Sequence, residues 1–264
     1  MIIYGKQKDI TDINLSIPGE LITGDSHEIN YDLLKGKIVI GLCGYAGSGK
    51  DGLGKPLIER LNFQRVSFGD AIKMLMDKHM KQQIYEDLKN RKIELSFEEI
   101  NQLNPRTREI KEILRPYVIW FGKEMKKQNG KQYWINIAFE NLKNVKKVVI
   151  TDVRRPNELG IFEGSSEYYK RANSNCAEVG VPKDLDNTSV NERGYESLLL
   201  HINQRGLKDS DELTRETIRL AYENWLFDDV ISIDSKIPDE KTFREKHVLK
   251  HVYKLIEKYP IYFV

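Results

Sequence analysis

Cysteine is nearly missing from this chain: Cys43 and Cys176 are the only two among 264 residues. Two thiols so far apart in sequence make neither a zinc cluster nor a disulfide framework, and a reducing compartment fits them. Long apolar runs are missing as well. No stretch approaches the roughly 18 apolar residues of a membrane span, and the first residues lack a signal peptide's apolar core. No sign of charge dominates either. The 42 Lys and Arg nearly cancel the 40 Asp and Glu, leaving +2, which is far from the basic bias of a dedicated nucleic-acid binder. These absences predict a cytoplasmic protein with neither a membrane nor a nucleic acid as partner, acting on a small molecule. They leave a homodimer open.

What is present is concentrated in Lys37–Asp51, KIVIGLCGYAGSGKD. Ile38, Val39, Ile40 and Leu42 form a short apolar, β-branched run of the kind that becomes a buried parallel strand. Gly44, Gly47, Gly49 and Lys50 follow at the spacing G-x-x-x-x-G-K. Glycines let successive backbone N–H groups turn inward and approach phosphate oxygens closely. The helix that follows adds its free N–H groups and the positive end of its dipole. Lys50 supplies a flexible point charge for β- and γ-phosphates. Gly44, Tyr45, Ala46, Gly47, Ser48, Gly49, Lys50, Asp51 and Gly52 are thus the candidate nucleotide-phosphate cradle. Asp51 stands where Ser or Thr usually ligates Mg²⁺; a carboxylate can hold that ion directly or through water, at the cost of negative charge beside phosphate.

Residues 1–36 read as an extension, with short strands at Ile2–Tyr4 and Ile10–Ile17. The remaining 37–264 read as one α/β domain with insertions at about 81–104 and 162–227, where a lid and an acceptor region would lie. A helix is predicted over Gly52–Leu61, weakened by Gly54 and Pro56, then a strand over Arg65–Phe68 and a helix over Ala71–Met80. Phe68, Asp70 and Lys73, at the carboxyl end of that strand, point to a second substrate, although Asp70 also fits a plain helix cap. Ser96 and Glu99 make a capping box for a short helix. Apolar residues at three- and four-residue steps predict a helix over Arg106–Lys127, kinked or split by Pro116, and another over Lys131–Leu142. Trp120 and Trp134 fit core packing as well as base stacking.

Lys146–Asp152 (KKVVITD) reads as the second strong strand, its Asp152 placed to orient Mg²⁺ or its waters. Arg154 and Arg155 follow where a transferring phosphoryl group would sit, although surface charges are the plainer alternative. Pro156 suits the first turn of a helix. Gly160–Asn187 is hard to read beyond a weak strand at Ala177–Val181 and a basic cluster containing Arg171. A helical hairpin is predicted over Val190–Arg205 and Asp211–Phe227, a strand over Asp228–Asp234 and a closing helix over Lys241–Lys258.

Three stretches, GYAGSGKD, RPYVIWFGKEMKK…YW and ITDVRRPNE, together resemble the deoxynucleoside monophosphate kinases of tailed bacteriophages. The loops of that family end in Lys-Asp, which the odd Asp51 matches. Arg115, Gly122, Glu124, Lys127 and Trp134 fall on its next motif, with Lys123 in place of the usual Thr. Thr151–Glu158 matches its TDVR-x-PNE turn, with Arg155 at the variable position. Phosphomevalonate kinase is a more distant likeness. The resemblance covers roughly 37–161, the last strand and the last helix; the family's next strand and its His-x-Ser-Glu segment have no counterpart across 162–227.

The resemblance implies a nucleoside-monophosphate-kinase-like parallel sheet flanked by helices, ATP and Mg²⁺ as cofactors, and a deoxynucleoside monophosphate as acceptor. It places the chain in a host cytoplasm if phage-encoded. Lys50, Asp152 and Arg154 would be catalytic, and Asp51 and Asp152 would hold the metal. Phe68, Asp70, Lys73, Arg115, Trp120, Gly122, Lys127, Trp134, Arg154 and the lid cation Arg171 would bind the acceptor. A small-molecule phosphate kinase and a non-catalytic nucleotide switch are the alternatives.

Overall fold

The computed structural model describes residues 13–24, 26–45, 48–101, 105, 107–162, 194–204, 212–224, 226–233 and 241–263. Five strands are β1 (Ile38–Cys43), β2 (Gln64–Val66), β3 (Lys147–Val153), β4 (Glu196–Gln204) and β5 (Asp229–Ile233). The helices are α1 (Lys50–Leu61), α2 (Phe68–His79), α3 (Lys81–Asn90), α4 (Arg108–Asn129), α5 (Tyr133–Glu140), α6 (Glu212–Glu223) and α7 (Lys241–Lys258). They fall into two compact units: Ile29–Ser67 with Phe139–Val264, and Met1–Glu28 with Phe68–Ala138.

The first unit is built on an all-parallel sheet in the order β2-β3-β1-β4-β5. β1 lies at its centre, hydrogen-bonded on both edges, with Ile40 opposite Val149 and Leu198. Helices on both faces of such a sheet leave its strands no solvent side, hence the nearly continuous apolar run of β1. On one face Ile40, Leu42, Val149, Leu198, Leu200, Ile202 and Ile231 pack with Leu53 and Leu57 of α1 and Val252 and Leu255 of α7. Gly54, which weakens α1 on propensity alone, lets that helix approach β3: a Cβ there would sit 3.0 Å from the Thr151 methyl. On the opposite face the Phe162 ring fills the space a Cβ at Gly41 would need. The fold is therefore α/β, a parallel sheet flanked by helices, as the sequence predicts.

In the second unit, α4 runs unbroken from Arg108 to Asn129 with Pro116 inside it. The predicted kink or split at Pro116 is absent as a break in the helix: Leu114, Tyr117, Phe121 and Met125 are all buried on one stripe, and this burial holds the helix across the lost hydrogen bond. Gly122 carries no side chain where α2 crosses; a Cβ there would lie 3.2 Å from Ile72 Cδ1. The residues leading into Ser26 bind the end of α4. Asn129 Oδ1 accepts from Thr23 N (2.5 Å) and Gly24 N (3.2 Å), and Ser26 O accepts from Gln132 N (3.0 Å).

Other predictions need correction. Residues 13–17, the described part of the strand expected over Ile10–Ile17, are not a strand, and Ser16 instead exchanges two hydrogen bonds with the Gln83 side chain. Ser96 and Glu99 make their reciprocal bonds (3.3 and 2.8 Å), but around a turn without a helix. Within the helix expected over Val190–Arg205, Glu196–Gln204 is instead strand β4. Ile2–Tyr4 and Ala177–Val181 lie outside the described residues. No helix among the described residues is long and apolar enough to cross a membrane.

Candidate active site

The strand-to-helix junction at β1 forms the centre of the sheet unit's polar site. Gly44 leaves β1 at φ +152°, pressed so closely against β4 that a Cβ would lie 2.4 Å from Ile202 O. Gly49, at φ +91°, is left-handed, a conformation that favours glycine, and it caps α1. Ser48 between them is fully buried, its N–H donating to Tyr45 O at 3.1 Å. Ala46 and Gly47 lie outside the described residues.

Lys50 opens α1 and turns its ammonium back into the loop. It donates to Gly44 O and Tyr45 O, both at 2.6 Å, with Ser48 Oγ at 3.3 Å. Burial, reinforced by the positive charge of Arg154, lowers its pKa to about 8, against the attraction of Asp51 and Asp152. Arg154, Asp51 and Asp152 thus each lie within electrostatic reach of Lys50. Asp51 and Gly52 are exposed on the first turn of α1.

Asp152 near the end of β3 accepts from Ser67 Oγ at 2.8 Å. The next turn is organised by Glu158, whose Oε2 accepts the N–H groups of Arg154 (2.7 Å) and Arg155 (2.9 Å). Burial, with Asp152's charge adding, raises the Glu158 carboxyl to about 8. Thr217 of α6 approaches Arg154 from the other side, its hydroxyl 2.8 Å from Arg154 O. Arg154 Nε is buried with no hydrogen-bond partner among the described residues. A buried N–H donor without an acceptor carries a desolvation cost that a hydrogen bond would relieve.

His201, on β4 opposite Cys43, completes the surroundings. Its Nδ1 lies 2.7 Å from Tyr222 Oη and its ring stacks on Phe227 at 5.0 Å. Burial, with Lys50's charge adding, pushes it down to about 4, so it is neutral near pH 7.

The acceptor candidates fall in the other unit, on α2, α4 and α5. Lys73 and Asp70 pair at 3.0 Å on the first turns of α2, just after buried Phe68. Arg115 is exposed and lies 3.5 Å from Glu112, and Lys127 is exposed. Trp120 is half-buried against Phe121. Trp134 is buried, its Nε1–H donating to Gly122 O at 3.0 Å, so these two residues hold α5 against α4. Arg171 lies outside the described residues.

No protein-family model matches the chain, and no curated protein matches it. Among solved structures it is similar to a kinase candidate from Chloroflexus aurantiacus J-10-fl, at 10% identity over 83% of this chain and 98% of that one, with a TM-score of 0.31. It is also similar to dephospho-CoA kinase from Campylobacter jejuni, at 11% identity over 85% and 98%, with a TM-score of 0.32. Likenesses this faint say nothing about chemistry.

Chemically, the sheet unit offers a backbone cradle at a helix N-terminus, two cations and two carboxylates. Mg²⁺ commonly takes one or two carboxylates, waters and substrate phosphates, and Asp51 and Asp152 fit that donor set. Among the described residues no three His, Cys, Asp or Glu side chains group as a closed metal cage. Sequence reasoning missed Ser67, Glu158, Thr217 and His201 as parts of this site. Glu158 carried a usable signal, standing three residues after Arg155 where a first-turn carboxylate reaches back to free N–H groups. Thr217 and His201 carried none, since only the tertiary fold brings them here.

Proposed function

We propose that this chain is an ATP- and Mg²⁺-dependent phosphotransferase that converts a deoxynucleoside monophosphate to its diphosphate. The observation that carries the reading is the Lys50 cradle together with Arg154, whose buried Nε has no hydrogen-bond partner among the described residues. Phosphoryl transfer asks a protein for alignment and charge neutralisation more than for covalent chemistry. The loop amides and Lys50 hold the donor's β- and γ-phosphates. Asp51 and Asp152 would hold Mg²⁺, which would supply charge neutralisation on the phosphates. Arg154 receives the acceptor's phosphate, which is itself the nucleophile, so no strong general base is needed.

Arg115 and Lys127 serve different groups. A separation from 115 to 127 on one helix is about 18 Å along the axis, too far for one phosphate to bridge. Lys127 is therefore assigned to charge neutralisation rather than to the phosphate that Arg115 would contact. Phe68, Trp120, Gly122 and Trp134 shape the acceptor side.

The test is a coupled assay of ADP release from ATP and Mg²⁺, with each deoxynucleoside and ribonucleoside monophosphate added singly. The expected result is release that depends on particular deoxynucleotides. Release indifferent to every nucleotide acceptor, or ATP binding without release, would sink the reading.

A further inference from the structure

The turn Val153–Glu158 holds Arg154 more tightly than capping requires. A first-turn carboxylate ordinarily reaches back to one N–H, that of the residue capping the helix. Here the capping residue is Arg155, with extended backbone (φ −122°, ψ 141°), and Glu158 Oε2 does accept its N–H. The same oxygen also accepts the N–H of Arg154, one residue further back and at the shorter distance of 2.7 Å. Glu158 N in turn donates to Arg155 O at 2.9 Å, closing the turn on itself, with Pro156 fixing its first φ.

The carbonyl of the same residue is held from a different element. Thr217 is fully buried on α6, and its hydroxyl stands 2.8 Å from Arg154 O and 2.7 Å from Leu213 O, one proton shared between two carbonyls. A helical Thr bonding back to the residue four positions earlier is common. Its reach across to Arg154 is not. The main chain of Arg154 is thus held at N–H by the Glu158 carboxyl and at C=O by a hydroxyl, whereas its side-chain Nε is buried with no hydrogen-bond partner among the described residues.

We propose that Glu158 and Thr217 are positioning residues that hold the Arg154 main chain at its N–H and at its C=O and so fix where its guanidinium meets the substrate phosphate. This rests on the phosphotransferase reading, through the part given to Arg154. The physical ground is that a guanidinium discriminates a phosphate by direction as well as charge, and small errors of placement at a transfer site cost large factors in rate. Glu158 sits buried at a desolvation penalty, against the charge of Asp152, so the fold keeps it there against a cost.

The test is a double-mutant cycle on kcat/KM for the acceptor, combining Glu158→Ala or Thr217→Val with Arg154→Ala. Arg154→Ala alone is expected to lose at least about 30-fold, the scale of a charged contact. Glu158→Ala and Thr217→Val should each lose about tenfold when Arg154 is present and less than about twofold when it is absent, because little is left to position. Glu158→Gln and Thr217→Ser, which keep the acceptor oxygen and the hydroxyl, should recover most of the loss. Amide exchange supplies a readout independent of activity: Glu158→Ala should speed exchange at Arg154 and Arg155.

Equal losses in both backgrounds, with no change in amide exchange, would overturn the positioning role and leave the phosphotransferase reading standing. An Arg154→Ala protein as active as the wild type would overturn the positioning role and the part given to Arg154, whereas a wild type without acceptor-dependent turnover would overturn the phosphotransferase reading itself. If Glu158→Ala does not fold, the Thr217→Val and Thr217→Ser pair carries the same comparison.

Discussion

Lys50 spends its three protons on its own loop, against Gly44 O, Tyr45 O and Ser48 Oγ. Those carbonyls are what a bound phosphate would displace, so the residue is already desolvated and oriented where it would act. Lys50→Met should leave far-UV circular dichroism unchanged and reduce acceptor-dependent ADP release by at least about a hundredfold, the range expected when one preorganised donor is lost. A variant within a few fold of wild type would remove the loop from the mechanism. At this scale the site was largely legible in the sequence, because a phosphate loop is local: glycines, a lysine and a strand before them specify it without help from the rest of the chain. Thr217 and His201 were not legible. Their properties come from burial, and burial is decided by residues far away in sequence.

Among the elements, β4 shows what sequence patterns cannot separate. Its core run is Leu198, Leu199, Leu200, His201 and Ile202, buried on both faces. Such a strand has no alternation to display, and leucines favour helix on propensity, so the pattern predicts a helix. Register with β1 decides otherwise. Asp228 locks β4 to the start of β5: its N–H donates to Leu199 O (2.9 Å) and its Oδ2 accepts from Leu199 N (2.6 Å).

Burial, with Asp229's charge adding and Lys258 opposing, raises the Asp228 carboxyl to about 7. The folded protein therefore binds this proton more tightly than the unfolded chain. Its contribution to stability is fully present below the usual carboxylate range and is lost as pH rises to about 7. Asp228→Asn keeps an acceptor for Leu199 N–H without the titration. Thermal midpoints measured from pH 4 to 8 should fall less steeply in the variant than in wild type; parallel curves would count against this account. Elsewhere, Gly130 sits at φ +107°, and a Cβ there would lie 2.5 Å from Ser26 O. Gly130→Ala should cost about 2 kcal/mol or more, from strain and displacement of the 23–26 segment, read by denaturant unfolding. A loss below about 0.5 kcal/mol would show that the segment yields freely.

For the whole molecule, ligand and stability are linked. Anything that binds only the folded chain stabilises it by mass action, by about 2.7 kcal/mol at a hundred times its Kd. ADP with Mg²⁺ at that excess should raise the melting temperature, and Lys50→Met should abolish most of the rise. An equal rise in the variant would place the nucleotide away from the loop. The fold class was readable at this scale because two strong apolar strands, each with polar groups at its carboxyl end, already imply a parallel sheet. The gathering of residues before Glu28 with Phe68–Ala138 was not readable, since it depends on contacts such as Asn129 with Thr23 and Gly24.

The strand order has a further consequence, for synthesis. β1 does not pair with β2, because β3 lies between them. When β1 leaves the ribosome, its first hydrogen-bonding neighbour is still about a hundred residues from being made. At about 5 to 20 residues per second, the segment IVIGLC waits roughly 5 to 20 s with both edges open. β4, the partner on its other edge, comes later still. An apolar strand in that state is a template for pairing with another nascent chain. Translation speed and chaperone supply should therefore govern the yield of this protein more than the stability of its finished fold.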